Sequence, residues 1–311
     1  MRLQKCRMTL HIFTKDESGR MKAITVAAAL FSLCAAFLPL TASAQAEREE
    51  ERVTLTAEDG WNLGARYLKA AEGAPTVVLI HTQKSDLNEW DPWFKPLKRY
   101  GFGYLALDLR GHGNSFVRPD GSTITWRAFA VDGQDNEYNK MLRDVEAALV
   151  FLSTRSVTAE STVLAGSVLG ANLAIKAAAI HPEVGMVIAV SPVLNVNSVL
   201  SVNPLRAYGR RPLLLIAGAD RARQYTEFQI LNSTAKIACG KENVSVIVEA
   251  KGFGPGLVNK YNVRRVLDWI KNPRLPEVVE LSTAAAAGLE PGATEQRLTE
   301  DPGAMPDYSN E

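Results

Sequence analysis

The chain has 311 residues, 46% of them hydrophobic, which is enough to bury one substantial core with appendages. Its formal net charge of +1 lacks the basic excess of a dedicated nucleic-acid binder, so no nucleic-acid partner is expected.

Taken in chain order, residues 1–20 are polar and patternless and read as an over-called start or an extended leader, with Met21 as a candidate initiator. Residues 21–44 then read as a Sec-type signal peptide. Lys22 follows Met21, an apolar run extends from Ala23 to Leu40, and Ala42-Ser43-Ala44 closes it as a small-residue cleavage motif. This predicts a periplasmic or secreted protein with no membrane span after cleavage. The run is near the length of a span, so an uncleaved anchor is the alternative. Leu33 is too bulky for the position before a lipidated cysteine, which excludes a lipoprotein signal at Cys34. With Cys6 and Cys34 in the leader, Cys239 is alone in the mature chain, expected as a buried thiol rather than half of a disulfide.

Residues 45–272 alternate short β-branched runs with amphipathic stretches. Two strands, Arg52 to Ala57 and Trp61 to Leu68, flank the turn signal Asp59-Gly60. Further strands are predicted at Thr76–Ile80, Gly103–Leu107, Ser161–Ala165, Met186–Val190, Leu213–Ile216 and Val244–Val248. Helices are predicted at Trp93–Tyr100, Glu137–Leu152, Ala171–Ile180, Thr226–Ala235 and Val263–Ile270. Repeated strand–helix units imply an α/β fold: a mostly parallel central sheet of about eight strands, helices on both faces, and an antiparallel hairpin at one edge. Residues 273–311 hold eight acidic and two basic residues, five prolines and few large apolar ones, and are expected to be a disordered acidic tail.

In such a fold, chemistry sits beyond the C-terminal ends of the strands. The loops there carry His81-Thr82-Gln83, Asp108-Leu-Arg110-Gly111-His112-Gly113-Asn-Ser115, Gly166-Ser167-Val168-Leu169-Gly170, Ala217-Gly218-Ala219-Asp220 and Gly252-Phe253-Gly254. Over about Val53 to Ile270 this set resembles the α/β-hydrolase superfamily, in the branch similar to dienelactone hydrolases and serine-aminopeptidase-like esterases. The most specific pieces are the Asp-x-Arg-Gly-His-Gly-x-Ser loop and the strand–Gly–helix turn, which the resemblance identifies as a nucleophile elbow, Gly-x-Ser-x-Gly.

The resemblance implies a triad in the chain order serine, acid, histidine, and here each position is altered. Both elbow glycines, Gly166 and Gly170, are present, but the centre is Val168, which has no nucleophile and a side chain poorly suited to positive φ. None of the four histidines lies after His181, and Phe253 stands where the imidazole belongs, leaving no positioned base near neutral pH. The usual acid position is Arg221, and Asp220 beside it is either a displaced acid or a loop cap. The amides near Thr82 and of Leu169 could form an oxyanion-like pocket, and His81 is expected to hydrogen-bond beside it. Asp108, Arg110 and His112 are expected to brace their loop. Trp90, Trp93 and Phe94 either line a pocket entrance or pack a helix.

No cofactor and no metal set is expected; His112 has no second ligand at suitable spacing. The residues therefore point to an exported pseudohydrolase with no working triad, acting as a ligand-binding or interaction protein. Its partner would be a small apolar ligand in the former active site or an envelope protein. The alternative is an active carboxylic-ester-type hydrolase with an unorthodox site, in which Ser167 is the nucleophile and His81 its base.

Overall fold

In the computed structural model the described residues are 10–15, 21–26 and 48–274. They fall into two units divided at Glu47 and Arg48.

In the first unit, β1 (Leu10–Lys15) pairs antiparallel with β2 (Met21–Val26), Ile12 opposite Ile24. The hairpin departs from the reading of residues 1–20 as patternless, and it crosses the boundary placed at residue 20. The run Leu-His-Ile-Phe-Thr is rich in strand formers and gains a ladder that no local polarity pattern reports. Most of the predicted signal segment, and nearly all of the predicted tail, lie outside the described residues.

The second unit opens with β3 (Glu50–Thr56) and β4 (Asn62–Leu68), followed by β5 (Thr76–Ile80), α1 (Asp91–Tyr100), β6 (Gly103–Leu107) and α2 (Glu137–Thr154). Then come β7 (Thr162–Ser167), α3 (Leu169–Ile180), β8 (Met186–Val190) and the short strands β9 (Asn195–Val196) and β10 (Val199–Leu200). The chain continues through α4 (Val202–Ala207), β11 (Leu213–Gly218), α5 (Ala222–Cys239), β12 (Val244–Glu249) and α6 (Lys260–Lys271).

Eight strands form one sheet in the order β12-β11-β8-β7-β5-β6-β4-β3. The six from β12 to β6 are parallel, and the β3–β4 hairpin adds the antiparallel edge. Every residue of β5, β6 and β7 is buried, as a strand covered on both faces requires. The two faces pack separate cores. One holds Met141 and Val145 of α2, Leu173 and Ala177 of α3, and Phe228 of α5; the other holds Trp93 and Leu97 of α1 with Val266 and Trp269 of α6. Trp90, Trp93 and Phe94 are all buried there, so these aromatics pack the α1 face and do not line an entrance. Cys239 is buried and unbridged, and burial pushes its thiol up to about 11, which suits a core filler.

The chain leaves β6 on one side of β5 and returns in β7 on the other. The ends of β5 and β7 therefore flank the point where the strand order reverses, which is where a doubly wound sheet opens a crevice.

Candidate functional site

The turn from β7 into α3 has the geometry of a nucleophile elbow. Val168 sits alone between strand and helix with φ 49° and ψ −99°. A β-branched residue is strained in that region by roughly 1–3 kcal/mol, so the surrounding structure must impose the conformation. Its N–H donates to the Val190 carbonyl at 2.9 Å and its carbonyl accepts from the Asn172 N–H at 3.1 Å. Both glycines are required by contact. A Cβ on Gly166 would lie 2.1 Å from the Gly170 carbonyl, and one on Gly170 would lie 2.1 Å from the Ile80 oxygen. The turn thus centres on Val168. Ser167 is the last residue of β7, paired with Val190, wholly buried, and its hydroxyl has no hydrogen-bond partner.

The loop after β12 packs against the same turn. Gly254, at φ 53°, donates to the Ser191 hydroxyl at 2.9 Å, and a Cβ on it would lie 2.9 Å from a Val168 methyl. Valine and the last loop are therefore in direct packing contact. The guanidinium of Arg221 lies 5.1 Å from the centre of the Phe253 ring, a cation–π arrangement. Val168 is 5% exposed. The two roomiest cavities described, about 560 and 570 Å3, lie along the β3–β4 edge and around the start of β5, and neither is lined by Val168, Phe253 or Arg221.

Asp220 is exposed and accepts the Gly252 N–H at 3.0 Å, so its carboxylate caps the loop that carries Phe253. His81 is wholly buried with both ring nitrogens engaged. The Leu109 N–H donates to Nε2 at 3.0 Å, which places the proton on Nδ1, and Nδ1 donates to the Thr82 carbonyl at 2.7 Å. Burial, with His112 4.9 Å away, pushes the imidazole down to about 3. His81 is thus a neutral strut between two loops, and its nitrogens are committed to backbone rather than to Ser167.

The Asp-x-Arg-Gly-His-Gly-x-Ser loop is braced as expected. Asp108 accepts from the Leu87 and Asn114 amides, at 2.8 and 2.9 Å. Arg110 ties the loop to Asp144 of α2 and to Asp59 in the β3–β4 turn. His112 bridges the Arg110 and Gln83 carbonyls, each at 2.9 Å.

Two participants escaped the reading of the sequence. Asn172, buried on α3, donates to the Val193 and Val199 carbonyls, both at 2.9 Å, and thereby holds the β9–β10 hairpin over the helix. Glu89 accepts the Thr82 N–H at 3.1 Å through Oε2. The amide proposed for an oxyanion-like pocket is therefore occupied from within, while Leu169 begins α3. The sequence signal for both was weak, because a lone amide or carboxylate on an amphipathic stretch is ordinarily solvated.

The family model described as serine aminopeptidase, S33, matches residues 71–229. No curated protein sequence gives a match. Among solved structures, an esterase of Pyrococcus furiosus superposes with a TM-score of 0.55 at 20% identity, covering 72% of this chain and 92% of its own. A dienelactone hydrolase from Anabaena variabilis gives 0.54 at 15% identity, covering 72% and 98%. A predicted CIB-like hydrolase from Thermoplasma acidophilum gives 0.54 at 16% identity, covering 72% and 99%. At these identities the likeness is one of fold, and it agrees with the mostly parallel sheet.

Proposed function

Since the chain belongs to the serine aminopeptidase S33 family of α/β hydrolases, we propose that it is a member without hydrolase chemistry, exported and acting by binding. The observation that carries this reading is Val168 at the tip of the elbow, held at φ 49° with no nucleophilic atom. Phe253 and Arg221 support it, because a ring and a guanidinium cannot take a proton from a nucleophile near neutral pH. The former active site is packed by Val168 against Gly254, so an envelope protein docking on the loop face suits it better than an enclosed small apolar ligand.

The test is direct. The purified protein should hydrolyse short activated esters no faster than a buffer control, and a fluorophosphonate probe should leave no covalent adduct detectable by mass spectrometry. Turnover that Ser167→Ala abolishes would overturn this reading in favour of the shifted nucleophile.

Export is the second half of the proposal. Cleavage after Ala42-Ser43-Ala44 places the mature N-terminus at Gln45. N-terminal peptide mapping of the exported protein should begin there. Peptides from Ile24 to Thr41 in that fraction would instead support a retained anchor.

A further inference from the structure

Glu89 is a carboxyl that the altered triad does not account for. It lies in the 3-10 turn Leu87–Trp90, and both neighbours in that turn are pinned. Asp86 accepts the Asn88 N–H at 2.8 Å, Asp108 accepts the Leu87 N–H at 2.8 Å, and Trp90 is wholly buried. The turn therefore places Glu89 by construction, and its reach to Thr82 is not the excursion of a loose surface side chain. On the other side, Thr82 is held through its carbonyl by the His81 ring. Donor and acceptor are both presented by rigid backbone.

The surroundings are unusual for a structural cap. Oε1 of Glu89 is buried with no hydrogen-bond partner, and so is the Ser167 hydroxyl at the end of β7. Two unsatisfied polar atoms beneath one elbow are costly unless something is exchanged between them or enters there. The Ser167 hydroxyl lies near enough to favour the charged Glu89 carboxyl, so a small shift of either side chain would bring the two atoms into a hydrogen bond. This gives Ser167 a part other than that of nucleophile.

We propose that Glu89 is an internal occupant of the oxyanion site: its carboxylate holds the Thr82 amide where a substrate carbonyl oxygen would have to bind, with the Ser167 hydroxyl as a buried polar neighbour. The site is then closed to acyl chemistry twice over, once by the missing nucleophile and base and once by a filled anion position. The inference deepens the non-catalytic reading and rests on it only in treating the elbow as vacated.

The groups acting on Glu89 are few. Asp86 in its own turn opposes the charge, while the Thr82 amide and the Ser167 and Ser85 hydroxyls favour it. Burial outweighs them and pushes the carboxyl up to about 7, whereas neighbouring His81 titrates far below. A proton leaving Glu89 near neutral pH should therefore be read by the amide it holds.

The experiment uses the purified protein and needs no activity. The Thr82 amide resonance, followed by 15N–1H NMR, should move with pH about a midpoint near 7, and Glu89→Gln should abolish that movement while keeping an acceptor in place. A Thr82 resonance that is flat across about pH 5 to 9 in the unmodified protein, or one that still titrates in Glu89→Gln, overturns the proposal. A second arm uses the Val168→Ser, Phe253→His, Arg221→Asp background. There Glu89→Ala should raise the fluorophosphonate labelling rate by roughly 10²-fold, the value of one oxyanion donor. Equal rates with and without Glu89→Ala overturn it. Ester turnover by the unmodified protein would defeat the non-catalytic reading without touching the Thr82 result, so the two failures are distinguishable.

Discussion

Asp144→Ala is expected to destabilise the protein by about 3–5 kcal/mol, the cost of breaking a buried ion pair from one side. Asp144 is wholly buried on α2 and accepts the Arg110 backbone N–H at 2.9 Å, its Nε at 2.9 Å and its Nη2 at 2.6 Å. Arg110 is itself 1% exposed, with the Trp61 ring 5.1 Å from its guanidinium. Removing the carboxylate leaves a positive charge that can neither lose its proton nor reach bulk water. Asp59 and Glu137 remain near, at 2.7 and 3.4 Å, so the loss should not exceed the usual range for such pairs. Urea unfolding followed by intrinsic fluorescence measures it. The helical pair of exposed Arg223 with half-buried Glu227 is the internal control, and Arg223→Ala should change stability by less than about 0.5 kcal/mol. An Asp144→Ala loss below about 1 kcal/mol would show that Asp59 and Glu137 alone satisfy Arg110.

The second large effect concerns activity. Val168→Ser alone should give no ester turnover, because Phe253 leaves no base to take the serine proton. Serine also accepts the elbow conformation more readily than valine, so the variant should fold. Val168→Ser with Phe253→His should give weak turnover, since Gly166, Gly170 and the N-terminus of α3 already form the turn. Adding Arg221→Asp should raise it further by orienting the imidazole and removing a cation that would oppose its protonation. The gains should be steeply non-additive, because triad members act as a unit. Steady-state kcat/KM for a p-nitrophenyl ester across the single, double and triple variants measures this. Additive gains, or activity in Val168→Ser alone, would mean that a base other than position 253 serves the site.

The parts of the fold that are legible in the sequence are those whose cause is local. Continuous apolar runs place the strands Thr76–Ile80, Gly103–Leu107 and Met186–Val190 at their observed bounds. The paired glycines set the elbow register, because a Cβ at either position would lie 2.1 Å from neighbouring backbone. Periodicity makes the helices too short, α5 most of all: Ala222–Cys239 against Thr226–Ala235. Its first turn, Ala-Arg-Gln-Tyr, is polar and its apolar face is interrupted, so packing on α4, β11 and β12 rather than periodicity sets its length. The β9–β10 hairpin left no signal, since two-residue strands are held by the Asn172 side chain from another element.

The sequence by itself determined the fold class and the pair of glycines that shape the turn between β7 and α3. Each of these follows from residue type and spacing along the chain. The tertiary structure alone decided that Arg221 lies on Phe253, that Asp220 caps Gly252, that His81 is locked between Thr82 and Leu109, and that Glu89 reaches the Thr82 amide. Each of these depends on which loops the strand order brings to one end of the sheet. A hydrogen bond there answers to distance and burial in space, for which spacing along the chain carries no record.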